Sequence, residues 1–255
     1  MYRVDLNSDL GESFGRYTLG MDDRVIPLIS SANVACGYHA SDPVVMEKTL
    51  ALAEKAGVRV GAHPGFPALM GFGRRNMNVT PEEAKAYVLY QLGALYGFCR
   101  ARGVTMQHVK PHGALYNMAA GDYDLARAIC QGIREFDRDL IVLALSGGEL
   151  VRAAEDLGLP VAREVFADRA YEEDGTLVDR RKKGAMITDE DEAISRVVRM
   201  VKEKKVKAIT GKDIPIEADS VCVHGDGEKA LAFVEKIRQV FAEEGIRICS
   251  LQEMR

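Results

Sequence analysis

Strand-like and helix-like segments alternate along the whole chain, which limits the fold to a mainly parallel sheet covered by helices. Residues 3–9 read as a strand and 31–36 as a second. Asp42 and Pro43 open an amphipathic helix that Gly57 stops. Residues 58–62 form a third strand, followed by a long loop rich in glycine, proline and aromatic residues. Thr80-Pro81-Glu82-Glu83 is a strong helix start, with Thr80 as cap, Pro81 in the first helical position and Glu83 completing a capping box. That helix is expected to end at Gly103. Strands at 105–109, 140–145, 161–166 and 221–224 follow, with helices at 123–135, 149–157, 189–204 and 228–243 and a last strand at 246–251. Residues 206–210 and 214–217, separated by Gly211-Lys212-Asp213, have the look of an inserted hairpin. No linker or internal repeat interrupts the pattern, so residues 1–255 are expected to form a single β/α-barrel domain with a hairpin insertion near 206–217. Seven or eight strand–helix units suggest a closed barrel, with an open doubly wound sheet as the rival.

With 47% hydrophobic and 28% charged residues, the chain has the makings of a sizeable core. A net charge of −4 without a basic run gives no footprint for nucleic acid. Charges at Arg3 and Asp5 occupy the place of a signal peptide's apolar core, and no apolar run approaches the roughly 20 residues that span a bilayer. Cys36, Cys99, Cys130, Cys222 and Cys249 are scattered and odd in number. They read as reduced, mostly buried thiols of a cytoplasmic protein.

Chemistry in a parallel barrel collects at the strands' C-terminal ends. Those ends carry Asn7, Asp9 and Glu12; His39; His63; Lys110 and His112; Glu164, Asp168 and Arg169; and His224 and Asp226. Four of the five histidines fall there. Asp5, Asn7 and Asp9 share one face of the first strand, and three polar groups facing a barrel interior demand partners. His108 shares a face with Lys110 but lies one layer deeper, as a core or supporting histidine. In the stretch from Lys110 to Asn117, Pro111 and Gly113 make a strand-to-helix turn crowded with a lysine and a histidine.

Asp9, His39, His63, His112 and His224 could ligate a divalent metal, although no local spacing motif selects a set. Neither a nucleophile elbow nor a Walker A loop is present. The loop after His63 reads either as a lid or as a loop packed on its own aromatics. Its Arg74 and Arg75 would reach an anion in the first case and lie in solvent in the second.

Asp5-Leu6-Asn7-Ser8-Asp9-Leu10-Gly11-Glu12, Ala35-Cys36-Gly37-Tyr38-His39, Gly61-Ala62-His63-Pro64, Gly71-Phe72-Gly73-Arg74-Arg75, Lys110-Pro111-His112-Gly113-Ala114-Leu115-Tyr116-Asn117, Arg163-Glu164-Val165-Phe166-Ala167-Asp168-Arg169-Ala170-Tyr171 and Val223-His224-Gly225-Asp226 together resemble the LamB/YcsF family, nearly end to end. One departure is Ala68, where the family pattern leads one to expect an acidic residue. The resemblance implies an irregular seven-stranded parallel β/α barrel of the glycoside hydrolase/deacetylase kind. It also implies ATP-coupled hydrolysis of the cyclic amide 5-oxo-L-proline to L-glutamate by a heteromeric 5-oxoprolinase with separate B and C subunits. For that chemistry Asp9 or Glu12 is the candidate base, His112 the acid, and Lys110 with Arg169, Arg74 or Arg75 the anion grip. His39, His63, Glu164, His224 and Asp226 would shape the pocket. ATP would bind either on a partner protein of the complex or against Lys110, Arg74, Arg75 and the Gly147-Gly148 turn. Two other classes fit the residues alone: a metal-dependent deacetylase or amidohydrolase, and a non-catalytic substrate-binding component.

Overall fold

The helix boundaries fall where the capping residues put them. Asp42 accepts from the Val44 and Val45 amides to start one helix, and Gly57 ends it in the left-handed conformation. Thr80 and Glu83 complete a reciprocal capping box, and that helix stops at Gly103.

The computed structural model describes residues 1–223 and 228–255. Its elements are β1 (Tyr2–Leu10), α1 (Asp22–Val25), β2 (Ser31–Ala35), α2 (Pro43–Ala56), β3 (Arg59–His63), α3 (Pro81–Arg102), β4 (Met106–Val109), α4 (Gly113–Gly121), α5 (Tyr123–Phe136), β5 (Ile141–Leu145), α6 (Glu149–Asp156), β6 (Val161–Phe166), α7 (Glu190–Glu203), β7 (Lys205–Lys207), β8 (Asp213–Pro215), β9 (Ser220–Cys222), α8 (Glu228–Glu243) and β10 (Ile246–Ile248). Strands β1 to β6 pair in sequence and in parallel, and β9 bridges β6 back to β1. The barrel is therefore closed with seven strands, and the open-sheet alternative is excluded. The irregularity lies at β1, whose first residues pair with β10 and whose next residues pair with β9. β7 and β8 form an antiparallel hairpin outside the ring. Among the described residues, no helix is long and apolar enough to cross a membrane.

Alternation along β1 sorts its side chains. Val4, Leu6 and Leu10 are buried in the hydrophobic cluster, while Asp5, Asn7 and Asp9 join the polar network of the interior. Parallel barrels are ordinarily filled by layers of branched aliphatic residues. Here much of the interior is polar, so the barrel depends on hydrogen bonds within its own lumen.

Gly61 shows how tightly that lumen is packed. A Cβ there would lie 2.2 Å from Nε2 of buried His108. Gly61→Ala is expected to destabilise the fold by about 1–3 kcal/mol through overpacking. Gly93, exposed on α3 with nothing near its missing Cβ, is the contrast. Gly93→Ala should stabilise by up to about 1 kcal/mol through helix propensity. Urea denaturation of both variants checks the opposite signs.

Candidate active site

The interior network rises in layers from Asp5. Its carboxylate accepts from the hydroxyls of Ser30, Ser31 and Ser220, at 2.7, 2.6 and 2.5 Å. Burial pushes the Asp5 carboxyl up to about 6, only partly opposed by those hydroxyls. Because the folded pKa exceeds the ordinary 3.8, the group costs nothing below about pH 4. The cost grows as pH rises to about 6 and is constant above it, reaching roughly 3 kcal/mol. Asp5→Asn should remove this dependence. Unfolding free energies of both proteins between about pH 4 and 7 test it, and parallel curves would refute it.

One layer up, Nδ2 of Asn33 donates to Oδ1 of Asn7 at 2.7 Å and to Oδ1 of Asp9 at 2.8 Å. Oδ1 of Asn33 accepts from Nε2 of His108 at 2.6 Å, and Gln107 Nε2 lies 3.1 Å from the other ring nitrogen. Burial, with Lys110 nearby, holds His108 down to about 3, so it is neutral. It supports Asn33, in the deeper position expected of it.

Lys110 forms the next layer. Its Nζ lies 2.9 Å from Asp9 Oδ1, 2.7 Å from Glu164 Oε1 and 3.2 Å from Asn7 Oδ1, with Cys222 Sγ at 3.3 Å. Burial alone would lower its pKa, but Asp9 and Glu164 outweigh burial and hold it above the usual lysine range. An ammonium has three protons; Asp9, Asn7 and Cys222 Sγ accept them in hydrogen bonds, and Glu164 is its buried ion-pair partner. Tyr116 donates to the other oxygen of Glu164 at 2.6 Å, and burial followed by that carboxylate keeps the phenol protonated.

The top layer is imidazole. His63 Nε2 is 3.4 Å from Asp9 Oδ2 and 2.9 Å from His112 Nδ1. His39 and His112 stack with centroids 3.6 Å apart, and Phe72 meets both rings edge-on. His39 Nε2 lies 3.1 Å from Glu12 Oε1. Burial, then the neighbouring rings, pushes His39 well below its ordinary value and His112 to about 3. The loop after His63 is pinned over this layer. Gln91 clamps both backbone groups of Gly65, and the Phe72 and Gly73 carbonyls accept from His112 Nε2 and the Ala114 amide. At Gly113, with φ +55°, a Cβ would meet the Gly73 oxygen at 2.7 Å, so glycine is needed for the loop to close down.

A cavity of about 720 Å³ opens above these layers. Asp9, His63, Lys110, His112 and Tyr116 line its inner part, and Arg74, Arg169, Arg180 and Arg181 contribute cations. Arg169 is 4% exposed. It donates through Nη2 to the Val178 carbonyl at 2.8 Å, and its buried Nε has no hydrogen-bond partner among the described residues. The Arg74 guanidinium sits over the Phe72 ring, 4.9 Å from its centroid.

The expected residues are thus mostly gathered in one place. Asp9, His63, Lys110, His112, Arg74 and Arg169 line the cavity, while Asn7, Glu12, His39 and Glu164 support those groups by direct contact. Arg75 is exposed and runs along Gly71, outside the lining, as is half-buried Asp168. His224 and Asp226 lie outside the described residues. Of the potential metal ligands, His39, His63 and His112 come together with Glu12. Tyr116, Asn33, Arg180 and Arg181 were not expected in the site. Asn33 could have been found, because it alternates with Ser31 on β2 as Asp5, Asn7 and Asp9 do on β1.

Fold and site together define a closed parallel β/α barrel with a buried lysine–carboxylate–imidazole centre under a cationic mouth. The chain belongs to the LamB/YcsF family, whose model matches residues 4–255. It is 67% identical to the A component of 5-oxoprolinase from Clostridium beijerinckii, with all of both chains covered. It is 57% identical to the corresponding A component from Pyrococcus horikoshii, over 98% of each. Among solved structures, the lactam utilization protein from Thermus thermophilus matches with a TM-score of 0.92 and 44% identity, over 97% of this chain and 99% of that one. The T48 deacetylase matches at TM-score 0.52 and 12% identity, over 98% of this chain and 89% of that one, a likeness of fold alone.

Proposed function

We propose that this chain is the A component of a 5-oxoprolinase, opening 5-oxo-L-proline to L-glutamate at the expense of ATP together with separate B and C subunits. The observation that carries this reading is full-length identity of 67% to a protein of that name. The cavity chemistry agrees with it. A five-membered lactam resists water because the amide is stable and its nitrogen leaves poorly. Transfer of the ATP γ-phosphoryl group to the carbonyl oxygen activates the carbon. Water then adds, the C–N bond breaks, the nitrogen takes a proton, and the resulting acyl phosphate is hydrolysed by a second water. Glutamate, ADP and phosphate are the products.

In this reading Asp9 is the base. Lys110 and Asn33 hold Oδ1, and Oδ2 is the oxygen that takes a proton from water. The same carboxyl then returns the proton to the ring nitrogen. His112 fits the acid role less well, because burial keeps its ring neutral at pH 7. The imidazoles instead shape and polarise the pocket. Lys110, with its protons committed, positions Asp9 and Glu164, and the anion grip passes to the arginines. Arg169 takes the substrate carboxylate, and Arg74, Arg180 and Arg181 face the phosphoryl group. Since the chain has no phosphate loop, the adenosine end of the nucleotide rests on a partner protein of the complex. ATP supply and five unpaired, buried cysteines suit a cytoplasmic enzyme.

The test is ATP-dependent glutamate release from 5-oxoproline by this chain alone and with the B and C subunits. Activity in the mixture alone supports the assignment. A correctly assembled mixture without activity overturns it.

A further inference from the structure

We propose that Glu12, His63 and His112 bind one divalent transition-metal ion of the zinc class, with His39 positioning the Glu12 carboxylate. The argument starts from the outer ring nitrogens. His63 Nδ1 lies 2.8 Å from the Lys110 carbonyl oxygen, and His112 Nε2 lies 2.8 Å from that of Phe72. A carbonyl oxygen only accepts, so both nitrogens carry hydrogen. In neutral rings the inner nitrogens, His63 Nε2 and His112 Nδ1, are then bare lone pairs. They face each other at 2.9 Å, a repulsive contact unless something positive joins them.

The rest of the surroundings favour a metal ion over a lone bridging proton. Glu12 Oε1 lies 3.6 Å from His112 Nδ1, and one ligand atom from each of Glu12, His39, His63 and His112 falls within 4.8 Å of the others. A proton would join one nitrogen pair only, whereas the Glu12 carboxylate, besides accepting from His39, converges on the same point. Two imidazoles and a carboxylate are a donor set for zinc and its neighbours, with a further position left open. His63 and His112 line the cavity whereas Glu12 and His39 do not, so that open position faces the cavity. Ligating histidines commonly donate their outer N–H to a backbone carbonyl, as both do here. His39 Nε2, 3.1 Å from Glu12 Oε1, donates to the carboxylate and fixes its direction. Asp9 Oδ2, 3.4 Å from His63 Nε2, adds negative charge on the other side.

The experiment uses the full chain, stripped with a chelator and titrated with Zn²⁺, Mn²⁺ or Ni²⁺ by calorimetry, with metal analysis and thermal unfolding alongside. Its readout contains no turnover, so it stands or falls separately from the 5-oxoprolinase reading. Wild type should take up a single equivalent of at least one ion and unfold at a higher temperature when loaded. His112→Asn and Glu12→Gln should bind at least roughly 100-fold more weakly, and His39→Asn roughly 10–100-fold more weakly, as expected for an outer-shell partner. Cobalt-loaded wild type should show the visible absorption of a nitrogen-ligated, low-coordinate ion, which decides the matter if the variants do not fold. Wild type that takes up none of these ions, variants that bind as tightly as wild type, or cobalt bound only as a hydrated surface ion would each overturn the proposal.

Discussion

Replacing Lys110 with methionine is expected to lower the unfolding temperature by roughly 10 °C, corresponding to a loss of about 3–5 kcal/mol. The side chains are similar in length, so packing changes little and the loss is electrostatic. The ammonium lies between Asp9 at 2.9 Å and Glu164 at 2.7 Å, and Glu164 is wholly buried. Without it two carboxylates confront each other in the barrel, and the pair will retain a proton that wild type releases. The variant's carboxyl then has a folded pKa above its unfolded one. Its penalty is absent in acid below the unfolded value and appears as pH rises, so the deficit against wild type should shrink at low pH. Adding Glu164→Gln removes one of the two anions and should restore much of the stability. Turnover should not return, because Asp9 still lacks the donor that orients it. Thermal unfolding across pH, with glutamate release in the assembled complex, separates these effects. Unfolding of Lys110→Met at the wild-type temperature at every pH would mean that the ammonium does not balance these carboxylates.

What was legible in the sequence was local chemistry. Thr80, Pro81 and Glu83 announce one helix, and Asp42, Pro43 and Gly57 delimit another, because capping is decided within a few residues. Period-two alternation placed Asp5, Asn7 and Asp9 on one face before any fold was known. Closure was harder to read. The closing strand pairs over only Ser220–Cys222 and must find both β6 and β1, a choice made by contacts distant in sequence. Helix α4 did not stand out from the turn before it, since Ala114, Leu115, Tyr116, Ala119 and Ala120 are all buried and leave little polar face to mark a period. Tyr116 was missed for a related reason, because its hydroxyl finds Glu164 only across the closed barrel. Arg180 and Arg181 sit in a charged stretch without periodicity, and only the folded loop brings them to the cavity.

Asp9→Asn should leave the barrel intact and remove the chemistry. An asparagine oxygen can still accept from Lys110 and from Asn33, which lie 2.9 and 2.8 Å from Oδ1 of the aspartate. Its amide would take the place of Oδ2, which lies 3.4 Å from His63 Nε2. Lys110 keeps Glu164 as a full counter-charge, so no buried cation is stranded. The amide, however, cannot take a proton from water. In the assembled enzyme kcat should fall by roughly 10²–10⁴-fold, the usual worth of a positioned general base. KM for 5-oxoproline should change little, because the proposed reading puts the substrate carboxylate elsewhere, at Arg169. A parallel loss in KM would instead make Asp9 a substrate contact. A kcat within a few-fold of wild type would remove it from the chemistry.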